Sequence, residues 1–129
     1  GMMVACAADK VYANDVSIIG SVGVLSSPPF LNFSKLIETI GIESLTISEG
    51  KGKDDMNPLR PWKPDEDANY REIIKYYYDM FVNIVSSSRP NISKEKLIQD
   101  YGAGVFPAPL AKERGYIDES GVSRNEVLK

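Results

Sequence analysis

Residues 65–86 hold the longest periodic segment of the chain, and the rest must be arranged around it. Tyr70, Ile73, Ile74, Tyr77, Phe81, Ile84 and Val85 recur at helical spacing and form one apolar stripe. Asp65 and Glu66 stand at its start, where negative charge suits the helix dipole, and Pro90 ends it. A helix with such a stripe needs a surface to lie against. The tyrosine run 76–78 spans several helix faces, so at least one ring points away from the core. We read it as interface or loop packing rather than as a ligand box.

The remaining segments are short. Residues 2–8 (MMVACAA) suit a small buried helix or strand, and their small side chains favour helix. KVYA and VSIIG, separated by Asn14-Asp15, read as strands. A helix begins at Asn32, with Phe33, Leu36, Ile37 and Ile40 on one face and Gly41 as its C-terminal cap. SLTIS, residues 44–48, reads as a further strand. Residues 49–64 form a long loop rich in glycine, proline and charge, a kind of segment that often carries function. Ser93 caps a short helix through Gln99, Val105-Phe106 is a brief strand, and residues 107–114 make a last helix closed by Gly115. Tyr116 to Asp118 is another short extended piece. Strands alternating with helices predict an α/β fold, and 129 residues suit one domain.

Composition narrows the chemistry. The net charge is −3 and no basic stripe or block appears, which argues against a nucleic-acid module. The single cysteine, Cys6, cannot form an internal disulfide and reads as a small buried hydrophobe. With no histidine in the chain, a zinc site is not expected. No apolar run approaches the roughly 18–20 residues that span a bilayer, and no signal peptide is visible. The expectation is a soluble piece of a longer polypeptide; Gly1-Met2-Met3 suits either a tag remnant or a cut inside such a protein.

Without histidine, a hydrolase needs another base. Lysine serves when burial or a nearby cation disfavours its charged form, and a serine–lysine pair is one variant of the nucleophile–base theme. GKGKDDMNP, residues 50–58, offers Lys51 and Lys53. Composition alone leaves each of them open as solvated loop charge or as a base. A phosphate-binding loop does not fit, because the Gly-x-x-x-x-Gly-Lys-Ser/Thr spacing is missing and two aspartates follow.

Four stretches in order, VACAADKVYAN, IIGSVGVL, NFSKLIETIGIESLTISEGKGKDDMNPLRP and GAGVFPAPLAKERGYIDESG, carry a resemblance that runs across nearly the whole chain. The sequence resembles the signal peptide peptidase (protease IV) family of serine peptidases, which share the fold of Clp protease and crotonase. The resemblance implies a partial domain of that fold, with residues 1–129 as the C-terminal part of the catalytic domain. Lys53 falls where the family places its general base, whereas Lys51 matches a variable position. Ser21 aligns with a supporting serine that hydrogen-bonds the base; the other reading is a turn serine satisfying backbone. Gly20, Val22 and Gly23 align with a substrate-binding stretch, although a simple strand bend would also use the two glycines. Asp54 would support the loop that carries Lys53, or would only be exposed.

The family pattern places the nucleophilic serine just before residue 1, so this chain is expected to hold the base without the nucleophile and to be inactive alone. The oxyanion segment is expected upstream too. Two smaller departures are the longer, proline-rich SSPPFLNF and the Pro107-Ala108 pair in place of Thr-Gly, which removes a side-chain helix cap. The resemblance further implies hydrophobic, signal-peptide-like substrates, a ring-like homo-oligomer, attachment of the parent to a membrane in a bacterial cell envelope, and no metal or organic cofactor. Uncovered strand edges likewise predict dimers or higher assemblies. The rival reading is a non-catalytic assembly or interaction domain of a degenerate member. A crotonase-type acyl-CoA enzyme is disfavoured by the Lys-Asp signature.

Overall fold

Small residues and no turn former put Met2–Ala5 in a helix, α1, closed at Cys6. The computed structural model describes residues 1–128. They divide into two compact units, residues 1–24 with 76–128, and residues 25–75.

In the first unit, strand β1 (Tyr12–Ala13) and strand β2 (Ile18–Gly20) follow α1. Helix α3 (Ala68–Ser88) contributes its part from Tyr76 onward. Arg89 N–H still donates to the Val85 carbonyl, and the chain then turns at Pro90. The turn after Ser93, whose Oγ accepts from the Lys96 N–H, runs into a π-helical turn over Lys96–Tyr101. Strand β3 (Val105–Pro107), helix α4 (Ala108–Glu113), strand β4 (Glu119–Ser120) and the short helix α5 (Arg124–Val127) complete the unit. β2 pairs antiparallel with β3, Ile19 opposite Phe106, and β1 pairs parallel with β4, Tyr12 opposite Glu119.

One apolar core lies in this unit. Val82 and Val85 of α3 meet Val22, Ile92, Leu97, Ala108, Ala111 and Tyr116, with Met2 and Cys6 at the edge. Cys6 is therefore the small buried hydrophobe that its apolar setting predicts. The helical stripe is used unevenly: Phe81 and Val85 are buried, while Tyr77 is exposed and packs edge-on against Tyr76, which lies outside the stripe and is exposed too. Tyr78 is the ring of the tyrosine run that packs against the core.

An ion pair closes the unit below this core. Arg89, 6% exposed, donates from Nη1 to Asp118 Oδ2 at 2.7 Å. The same oxygen accepts the Val11 N–H at 2.8 Å, and Lys10 reaches Oδ1. These donors, the Val11 N–H foremost, hold the Asp118 carboxyl down at about 2.

The second unit is built differently. Helix α2 (Ser34–Thr39) starts where Asn32 Oδ1 accepts the Ser34 N–H. It ends in a Schellman turn: Gly41 at φ +75° donates to Glu38, and Ile42 donates to Ile37. The apolar face of α2 is uncovered, with Leu36 and Ile40 exposed, and Ser34 and Glu66 are the buried residues of this unit. Polar links stand in for a core. Phe33 N–H donates to the Pro58 carbonyl, Asn32 Nδ2 to the Arg60 carbonyl, and Ser44 Oγ to the Leu59 carbonyl.

Several sequence expectations change: the helix expected from Asn32 starts at Ser34, and the short helix expected from Ser93 through Gln99 is the π-helical turn Lys96–Tyr101. Residues 44–48 form no strand: they join neither sheet, and Leu45 and Ile47 are largely exposed. A β-strand exists through its backbone ladder, whereas this segment meets residues 57–59 through side chains: Ser44 Oγ donates to the Leu59 carbonyl and Asn57 Nδ2 to Thr46 Oγ1. The long helix starts at Ala68 rather than at residue 65, because Asp65 takes a left-handed φ of +63° that no helix residue adopts. The last extended piece forms its ladder at Glu119–Ser120, since Tyr116 is drawn into the core. None of the helices among the described residues is long and apolar enough to cross a membrane.

Candidate active site

Lys53 sits on a run of tight turns. Its N–H donates to the Gly50 carbonyl at 3.2 Å, Asp55 to Gly52 at 3.1 Å, and Asn57 to Asp54 at 3.3 Å. Gly52 at φ +75° permits this path, and a Cβ there would lie 2.7 Å from Asp55 Oδ2. The Lys53 side chain is exposed and forms no ion pair among the described residues. Lys51 is exposed as well.

The residue after Lys53 is held from several sides. Asp54 Oδ2 accepts from Arg60 Nε at 2.6 Å, and its Oδ1 accepts from Asn57 Nδ2 at 2.7 Å. Arg60 also donates from Nη2 to the Asp54 carbonyl and from Nη1 to Glu66 Oε1, both at 2.6 Å. The second Glu66 oxygen accepts the Met56 N–H at 3.0 Å. Hydrogen bonds from Arg60 hold both carboxyls below the usual carboxylate range, and the two carboxylates push the guanidinium further up. Glu66, which its sequence position assigns to the helix dipole, instead serves this loop. Arg60 and Glu66 are the residues that sequence reading missed. The signal available was charge alternating at six-residue steps, 54, 60 and 66, around a Pro-x-Arg-Pro turn.

In the other unit, Gly20, Ser21, Val22 and Gly23 lie together at the end of β2. Ser21 takes φ +57°; its N–H donates to the Gly104 carbonyl at 2.8 Å and its own carbonyl accepts from Gly23. Ser21 is exposed and sits on a strained backbone. Val22 is buried, so at this position only the backbone can face a substrate. Beside Ser21 opens a largely apolar cavity of about 520 Å³, lined by Met2, Tyr12, Ile19, Phe81 and Ile117 among others.

The glycines are needed by the chain itself. Gly20 sits at φ +126°, and a Cβ there would fall 2.3 Å from the Gly104 carbonyl oxygen; at Gly23 it would meet the Ala103 Cβ at 2.8 Å. Gly20→Ala is therefore expected to strain the β2–β3 pairing and to lower stability by about 1–3 kcal/mol. Thermal unfolding of the variant beside wild type checks this; an unchanged melting temperature would mean that Gly20 is not conformationally required.

A family model described as Peptidase family S49 matches residues 1–129. The chain belongs to this peptidase family. It is 32% identical over 129 residues to a protein of Enterococcus faecium named as signal peptide peptidase SppA, covering 98% of this chain and 36% of that protein. It is 30% identical over 122 residues to the chloroplastic serine protease SPPA of Arabidopsis thaliana, covering 94% of this chain and 18% of that protein. Protease 4 of Haemophilus influenzae is 30% identical over 130 residues, with 99% of this chain and 20% of that protein covered. The S49 chain thus spans well under half the length of these relatives. The resemblance carried by its four sequence stretches is to this family.

Proposed function

We propose that the polypeptide containing this S49 chain is a serine endopeptidase of serine–lysine type that hydrolyses hydrophobic, signal-peptide-like substrates. The observation that carries the reading is the family match over all of residues 1–129 in a chain without histidine, whose Lys-Asp pair lies on a braced turn. In this reading the catalytic domain has the Clp protease/crotonase-like fold, and residues 1–129 form its C-terminal part.

A serine hydroxyl outside residues 1–129 adds to the scissile carbonyl. The neutral amine of Lys53 takes the hydroxyl proton and passes it to the leaving amine as the C–N bond breaks. Water then attacks the acyl-enzyme, again losing its proton to Lys53, and the serine leaves protonated. Backbone N–H groups, mostly outside this chain, stabilise the oxyanion. The family resemblance assigns Ser21 the role of supporting the base, and Gly20, Val22 and Gly23 that of lining the substrate's path. Because Lys53 is exposed on this chain, the reading requires the rest of the polypeptide to cover it. The apolar cavity beside Ser21 supports apolar substrates. Homo-oligomerisation and membrane attachment of the parent belong to the same proposal.

The uncovered apolar side chains Leu36, Ile40, Leu45 and Ile47 favour a second reading, an assembly domain without catalysis. A serine-reactive phosphonate separates the two. Incubated with the full-length polypeptide and mapped by mass spectrometry, it is expected to attach to one serine upstream of residue 1. Absence of any labelled serine in folded protein would favour the assembly reading.

A further inference from the structure

We propose that Arg60 and Glu66 are positioning residues which, with Asp54, form an ion-pair clamp setting the turn that carries Lys53. The inference rests on the reading of Lys53 as the base. The guanidinium fork grips the residue after Lys53 twice, at its carboxylate and at its main-chain carbonyl, each at 2.6 Å. Its third arm reaches Glu66, also at 2.6 Å. Lysine could replace one of these bonds but not the planar set.

Glu66 closes the clamp from the opposite side. It is 6% exposed, and its second oxygen takes the N–H of Met56, a non-glycine residue at φ +60°. Strained backbone of this kind persists where its surroundings over-determine it. The arm that bears Arg60 is itself tied down, by Asn32 at the Arg60 carbonyl and by Phe33 at the Pro58 carbonyl. Lys53 has no ion pair of its own among the described residues, so its place follows from its backbone turn. The clamp fixes that turn, and with it the point from which the amine reaches the reacting proton.

The test compares Arg60→Ala, Arg60→Lys, Glu66→Gln and Lys53→Ala in the full-length polypeptide, using a fluorogenic hydrophobic peptide and amide hydrogen exchange. Arg60→Ala is expected to lower kcat by about 10- to 100-fold with KM within about twofold, the signature of a displaced catalytic group. Exchange should accelerate at residues 53–57 and stay unchanged in the unit holding the apolar core. Free guanidinium should restore part of kcat to Arg60→Ala and none to Lys53→Ala, and Arg60→Lys should remain impaired. Wild-type kcat in folded Arg60→Ala, with Lys53→Ala inactive, overturns the clamp and leaves the base reading standing. Full activity in Lys53→Ala overturns both. Should Arg60→Ala fail to fold, the near-isosteric Glu66→Gln decides: lowered kcat with local exchange supports the clamp, and unchanged kcat overturns it.

Discussion

Lys53→Ala in the full-length polypeptide is expected to lower kcat for a hydrophobic peptide by about 10²–10⁴-fold, the usual contribution of a general base. The chain holds no histidine that could take over, and Asp54 and Glu66 are committed to Arg60. Lys51 is the internal control: it lies two residues away in the same glycine turns, so Lys51→Ala should retain near-wild-type kcat. Circular dichroism of both variants shows whether the fold survives. Loss confined to Lys53→Ala identifies the base; equal activity in the two variants would make Lys53 ordinary loop charge and end the dyad assignment.

Asp118→Ala is expected to cost about 3–5 kcal/mol, more than Arg89→Met, although the two changes break the same ion pair. The asymmetry comes from burial. Nε and Nη2 of Arg89 are buried without hydrogen-bond partners among the described residues, so removing Asp118 leaves a buried guanidinium with its one carboxylate gone. Replacing Arg89 by methionine removes those unsatisfied donors together with the charge, and the thioether chain fills the space. Chemical denaturation at neutral pH ranks the two variants; a milder effect for Asp118→Ala would contradict this account.

Acid gives the same pair a second readout. The Asp118 carboxyl is held at about 2 in the folded chain, below the ordinary aspartate value near 3.9. Its ionised form therefore stabilises the fold fully above about pH 4, and that contribution fades as pH falls toward 2. Asp118→Asn should flatten the dependence of stability on pH across this window. Arg89→Met should flatten it only in part, because the Val11 N–H is the largest cause of the depression.

Much of the fold was legible because it is local. Spacing along residues 70–85 places a helix, Gly41 ends α2 in the turn its position predicts, and the β-branched and apolar run before Gly20 forms β2. Periodicity and caps act over a few residues, so they survive whatever the chain packs against. The family was readable for a different reason, from four stretches that resemble it in order, and a family model matches residues 1–129.

What stayed hidden depends on residues brought together from far apart in sequence. SLTIS has strand chemistry, yet a strand needs a neighbour's ladder, and tertiary structure supplies none to residues 44–48 among the described residues. Glu66 has the charge for a helix start, but Asp65 leaves helical backbone and Glu66 turns to Arg60. Arg89 finds Asp118 across 29 residues, a pairing that no local spacing encodes. By itself, the sequence determined that helices lie over residues 34–39, 68–88 and 108–113, how α2 ends, and the family, because these are set by side-chain pattern. Only the tertiary structure decided which apolar face is covered and which carboxylate each arginine takes, because burial and ion pairing depend on what the folded chain brings within reach.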